Sequence, residues 1–176
     1  GYRQFTTGYV EIPKKQGKTE LGAALALYML TADGEWGAEV YSCAADRAQA
    51  SLIYQVAVDM IGLSPALQKR LKIVASQKRI VYPAMNSFYQ VSSEAFTKHG
   101  INPHAVLFDE IHVANREMFN VMTHGAADAR RQPLNFLITT AGNDRHSIGF
   151  EVHQKAEDLI EGRKVDQSFY PTIYAA

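Results

Sequence analysis

The sequence predicts an α/β fold: a mainly parallel sheet flanked by helices on both faces, with an antiparallel hairpin as an addition. Three observations lead there. Segments with strand character alternate with segments of helical spacing along the chain, which is the pattern of βαβ units. Residues 105–108 are a continuous apolar run, as a central parallel strand would be, and residues 135–139 read as another buried strand. The polar motifs follow strand segments, and open α/β sheets bind ligands at the carboxyl ends of their strands.

The bulk composition narrows the class. A chain of 176 residues suits one domain with a sizeable core. Its 18 basic and 18 acidic residues cancel to a formal charge of +0, so any nucleic-acid contact must come from a local patch. The single cysteine, Cys43, excludes an internal disulfide and a cysteine-based zinc site and favours a reducing compartment. The longest apolar segment, residues 21–30, is too short to span a bilayer, so no membrane partner is expected. The chain starts a few residues before its first motif, which suggests a piece of a longer protein.

Residues 9–12 alternate and carry β-branched side chains, giving a first strand, and a polar loop over 13–19 leads into a helix over 20–30. Residues 32–37 form a turn by their glycines and aspartate. A second strand covers 39–44, and Asp46 can cap a helix over 47–61. Short strands follow at 71–75, 79–82 and 87–91, the last two joined by turn chemistry at 83–86 into a hairpin. After the apolar strand at 105–108 comes a helix over 115–122. After the strand at 135–139 comes a helix over 148–160.

Pro13-Lys14-Lys15-Gln16-Gly17-Lys18-Thr19-Glu20 lies between a strand and a helix. A phosphate chain needs bare backbone N–H groups, which Gly17 permits, and a helix N-terminus whose dipole favours anions. Lys18 would reach the outer phosphates, and the Thr19 hydroxyl would bind Mg²⁺. Ile12 stands where the usual pattern GxxxxGK[ST] has its first glycine. As a bare pattern, the segment also fits a basic turn capping a helix.

The apolar strand ending in Asp109-Glu110 has the form of a Walker B motif. Asp109 would hold Mg²⁺, and Glu110 would orient and deprotonate the attacking water. The competing reading is a strand end opening into a solvated acidic loop. Both motifs in the correct order point to a P-loop NTPase of the ASCE/RecA-like type, using ATP and Mg²⁺. Thr139, Thr140 and Gly142 end the next strand. There a hydroxyl can sense the γ-phosphate and couple its loss to a moving element, although a threonine pair also suits a turn cap.

Other groups compete for roles. Arg130, Arg131, Arg145 and Arg116 are candidates to reach a neighbouring subunit's γ-phosphate, or else solvated surface arginines. Lys69, Arg70, Lys72, Lys78 and Arg79 form the densest basic stretch, a DNA-facing patch or a solvated face. The histidines at 99, 104, 112, 124, 146 and 153 show no ligand spacing on one helical face. Ser92-Ser93-Glu94 lacks a nucleophile elbow and reads as a strand end or a helix cap.

Together these residues resemble the ATPase domain of phage terminase large subunits. The likeness lies in the run from Tyr9 to Glu20, in Ala38-Glu-Val-Tyr, in Ala45-Asp-Arg-Ala-Gln-Ala and in Val91-Ser-Ser-Glu-Ala. It continues through the run from His99 to His112 and closes with Ile138-Thr-Thr-Ala-Gly. The P-loop lacking its first glycine is itself characteristic of that family.

The resemblance implies that residues 1–176 are one motor domain, with an RNase H-like nuclease domain expected downstream. It implies a catalytic part for Lys14, at a position where the family generally has arginine, and an adenine-contacting glutamine upstream of Gly1. Its implied partners are double-stranded DNA, the procapsid portal protein and the small terminase subunit. Its implied setting is the host bacterial cytoplasm, transiently at the portal vertex, as a homo-oligomeric ring when packaging and a monomer when isolated. Two other readings stay open: a helicase core, since Asp109-Glu110-Ile111-His112 fits a DExH box, and a non-hydrolysing nucleotide-binding module.

Overall fold

A computed structural model describes residues 1–92, 100–124 and 129–174. It contains eight strands: β1 (Thr7–Glu11), β2 (Glu39–Cys43), β3 (Lys72–Val74), β4 (Arg79–Tyr82), β5 (Ser87–Val91), β6 (Ala105–Asp109), β7 (Leu134–Thr139) and β8 (Phe169–Ile173). Five α-helices are described: α1 (Lys18–Thr31), α2 (Arg47–Gly62), α3 (Pro65–Arg70), α4 (Arg116–His124) and α5 (Ile148–Ile160). No described helix is long and apolar enough to cross a membrane.

The strands form one sheet in the order β3-β4-β5-β2-β6-β7-β1-β8. The pairs from β5 through β8 are parallel, and β3-β4 and β4-β5 are antiparallel. The expected parallel sheet and hairpin are both present. The strand expected over 71–75 is shorter, because residues Ala75–Gln77 close a 3-10 turn that hands the chain to Lys78 at φ 48. Helix α3 and strand β8 lie outside the sequence expectations. Ser64 caps α3 by accepting from Leu67 N, with Pro65 in the first turn, a pairing that suits helix entry.

The alternation of the central strands sorts two cores onto the two faces. Val40, Ala105 and Leu107 join Ala23, Ala26, Leu30, Ile53 and Ala57 under α1 and α2. Tyr41, Val106, Phe108 and Leu137 join Phe119, Met122, Ile148 and Ala156 under α4 and α5. Neighbouring residues of one strand point to opposite faces, so strands covered on both sides, such as β6, are apolar along their length. This double cover fixes the register, and the register aligns Glu11 with Thr139 and Asp109 with Ile138 at one edge.

Candidate nucleotide site

The polar motifs meet at the carboxyl edge of β1, β6 and β7. Strand β1 continues past Glu11, with Ile12 N donating to Thr139 O at 3.0 Å. Ile12 is therefore buried strand extension, and the loop's tight turns fall at Lys15 (φ 64) and Gly17 (φ 74, ψ 22) instead. The left-handed conformation at Gly17 costs little without a Cβ, and it opens α1 directly at Lys18. Pro13, Thr19 and Lys18 are half-buried, and Lys14, Lys15, Gln16 and Glu20 are exposed around the helix mouth.

Lys18 reaches both acids. Its ammonium lies 3.1 Å from Asp109 Oδ1 and pairs with Glu110 Oε1. Asp109 is 1% exposed, and its Oδ2 accepts from Gln49 Nε2 at 3.1 Å. Its Oδ1 accepts no hydrogen bond among the described residues, leaving a buried acceptor lone pair beside Lys18. The Lys18 ammonium is its ion-pair partner, and the remaining lone pair leaves room for a hard cation on the carboxylate oxygen.

Glu110 adopts φ 55, ψ 56, a left-handed conformation that costs a non-glycine residue on the order of 1 kcal/mol. The turn is held by Glu110 N donating to Ile138 O at 2.9 Å and Val113 N donating to Glu110 O at 3.2 Å. It presents the two carboxylate oxygens differently. Oε1 faces Lys18. Oε2 accepts from Thr140 Oγ1 at 3.1 Å and Thr140 N at 3.4 Å, with His112 Nδ1 at 3.1 Å.

The neighbours of His112 favour one tautomer. Glu110 Oε2, 3.1 Å from His112 Nδ1, can only accept, and Thr139 Oγ1, at 3.0 Å from the same nitrogen, can accept there while donating to Thr140 O. Nδ1 therefore carries a proton. Burial lowers the His112 pKa, and the Lys18 ammonium lowers it further, which favours the neutral ring.

Behind this layer lies a cavity of about 100 Å³ bordered by Glu11, His112, Thr140, Gly142 and His153. Glu11 accepts from Tyr9 Oη and pairs with His153 Nδ1, each at 2.7 Å. Burial, followed by the hydrogen bond to Glu11, raises the Tyr9 pKa.

The structure thus brings together Lys18, Asp109, Glu110, Thr139, Thr140 and Gly142, with Thr19 next to Lys18 in the first turn of α1. The arginines divide. Arg130 sits at the opposite, amino edge, 9% exposed at its side chain. It donates to Gly37 O at 2.8 Å and Asn102 O at 2.9 Å, and pairs with Glu35 and Glu39. Arg131 lies beside it, donating to Tyr2 Oη at 2.9 Å, and Arg116 pairs with Glu151. Arg145 is exposed in the loop after β7, on the site's own edge. His99, Ser93 and Glu94 lie outside the described residues. Sequence reading missed Gln49, Glu11 and His153, whose roles rest on contacts 60 or more positions apart.

Residues 1–158 match the family described as terminase large subunit, ATPase domain. The large terminase subunit of Enterobacteria phage HK97 is 30% identical over 141 residues, covering 77% of this chain and 28% of that protein. The crystal structure of the HK97 large terminase superposes with TM-score 0.81 at 25% identity, covering 98% of this chain and 36% of that one. The large terminase of a thermophilic bacteriophage, in complex with ADP, gives TM-score 0.70 at 12% identity, over 97% of this chain and 40% of that one. The Thermus phage P74-26 large terminase ATPase domain gives 0.64 at 15%, over 81% and 62%. At those identities the last two speak for the fold. The chain spans about a third or less of the length of the HK97 protein.

Proposed function

The chain belongs to the terminase large-subunit ATPase-domain family, and from that premise we propose that it hydrolyses ATP to drive double-stranded DNA into a phage procapsid. The observation that carries this is the convergence of Lys18, Asp109 and Glu110 at the mouth of α1. A lysine at a helix N-terminus binds outer phosphates, one carboxylate serves a metal, and the other serves a water.

Mg²⁺ fits the residues present. The hydrogen-bond-free Oδ1 of Asp109 and the Thr19 hydroxyl at the start of α1 would hold it. When bound, the ion neutralises charge building on the phosphate oxygens. The chain's own residues supply the rest. Backbone amides over 15–19 and the Lys18 ammonium orient the triphosphate, with Lys14 beside them. As the phosphates arrive, Lys18 exchanges its carboxylate partners for them, which frees Glu110 Oε1 to face the water.

Water oxygen bonds to the γ-phosphorus as the bond to the β–γ bridging oxygen breaks. The water proton passes to Glu110 Oε1, and ADP leaves with the bridging electron pair. The Thr139-Thr140 segment touches Glu110 through Oε2, so phosphate loss is felt by the strand end leading to Gly142. Arg145 lies on the edge from which a neighbour in a homo-oligomeric ring could be reached. The portal protein, the small terminase subunit and the host cytoplasm complete the proposed setting.

Glu110→Gln tests the assignment. Turnover should fall by roughly 10²–10³-fold on loss of the base, while ATP affinity stays within about threefold of the wild type. A variant that keeps turning over ATP sinks the role of Glu110. The helicase reading requires strand separation of a forked duplex, and the passive-module reading requires a wild type without hydrolysis.

A further inference from the structure

The His112 side chain touches both the general base and the coupling strand, and two glycines make room for it. A Cβ on Gly142 would come within 2.7 Å of His112 Cβ. A Cβ on Gly149, in the first turn of α5, would come within 2.4 Å of His112 Cα and 2.7 Å of its N. The 3-10 turn Ile111–Val113 is thus clasped between the loop after β7 and the start of α5. Only positions lacking a side chain allow that approach.

The Nδ1 proton of His112 faces Glu110 Oε2 at 3.1 Å and Thr139 Oγ1 at 3.0 Å. With the two Thr140 donors, it anchors Oε2 and leaves Oε1 as the working oxygen. We propose that His112 is a positioning residue: its Nδ1–H fixes the rotation of the Glu110 carboxylate and ties that rotation to α5. The inference rests on the ATPase reading given above and assigns His112 no contact with substrate. Thr139 accepts from the same proton, so a shift of the β7 end on phosphate loss moves His112, and through the Gly149 contact it moves α5. In the reverse direction, displacement of α5 turns the base away from the water.

The test uses three variants of nearly matched backbone demand. Asparagine places an amide N–H near the Nδ1 position, glutamine places it near Nε2, and alanine places none. His112→Asn should keep kcat within about threefold of the wild type. His112→Gln and His112→Ala should lower kcat on the order of 10- to 100-fold, the scale of a slight misplacement of a reacting group. KM for ATP and the unfolding midpoint should move little in all three.

Equal losses in the Asn and Gln variants, or no loss in any, would overturn the positioning role while wild-type turnover leaves the ATPase reading standing. A rise in KM with kcat unchanged would overturn it as well, since that marks lost ground-state binding. A wild type that binds ATP without hydrolysing it would bring down the underlying reading and the inference together.

Discussion

The two edges of the parallel sheet both carry dense charge, but they use it differently. At the amino edge, Arg130 is enclosed by three carbonyls and two carboxylates. Nearby, Arg3 and His104 converge on Asp33, with His104 Nε2 at 2.7 Å and Arg3 Nη2 at 2.7 Å. These groups pair with one another and pin the N-terminal segment, the end of α1 and the start of β6, although His104 Nδ1 and Arg3 Nε accept or donate no hydrogen bond among the described residues. At the carboxyl edge, one ammonium is shared by two acids and Glu110 holds a left-handed backbone. Asp109 Oδ1 accepts no hydrogen bond there among the described residues. Buried atoms without a hydrogen bond occur at both edges; what sets the carboxyl edge apart is one ammonium shared by two acids at a helix N-terminus, beside a strained backbone.

That contrast can be broken by cutting each edge and reading both stability and turnover. The largest effect belongs to Arg130→Ala, which strands two half-buried carboxylates and three carbonyls. Removing the buried member of a partly buried ion network costs about 2 kcal/mol, below the full penalty for a buried pair. Denaturant unfolding should show that loss, with nucleotide affinity of the folded fraction unchanged; unimpaired stability would erase the distinction between the edges. The neighbouring Arg131, stacked on an exposed Tyr2, should change stability by no more than about 0.5 kcal/mol when replaced by alanine.

Gln49→Ala sharpens the other side. Its amide steadies Asp109, so its removal should lower turnover about tenfold, on the scale of outer-shell groups around a metal. The unfolding midpoint should stay within a few degrees. A large stability loss with normal turnover would make Gln49 part of the fold instead.

The smallest effect is a pH dependence at the amino edge. Burial lowers the pKa of His104, against the pull of Asp33. The folded state then binds protons less readily than the unfolded chain, so stability is full above the ordinary imidazole value of about 6.5 and declines as pH falls through it. Urea unfolding at a series of pH values should show that decline, and it should be shallower in His104→Asn. An identical slope in the variant would assign the effect elsewhere.

The sheet and the three motifs were legible because their signals are local. Continuous apolar strands reveal double cover, and Lys18, Asp109 and Glu110 announce themselves by position after a strand. Asp46 is equally local: its carboxylate caps α2 by accepting from Gln49 N at 2.8 Å. The same Gln49 sends its side chain to Asp109, which no spacing could reveal. The arginines show the limit most sharply. Arg130, Arg131 and Arg145 look alike in the chain, yet only the fold puts the first two on the edge away from the site. Ile12 reads as a defect in a glycine pattern until the structure shows it extending β1. Short α3 escaped because six residues carry too little periodicity, and edge strand β8 because Pro171 interrupts its run.

In the proposed mechanism a phosphate chain displaces the carboxylates from Lys18. A crystal structure of the Glu110→Gln protein with a non-hydrolysable ATP analogue and Mg²⁺ reads this directly. It should show the γ-phosphate on the Lys18 ammonium, the metal between the Thr19 hydroxyl and Asp109, and residue 110 still held by Thr140. An analogue bound away from residues 15–19, or a lysine that stays on Asp109 with nucleotide present, would contradict it.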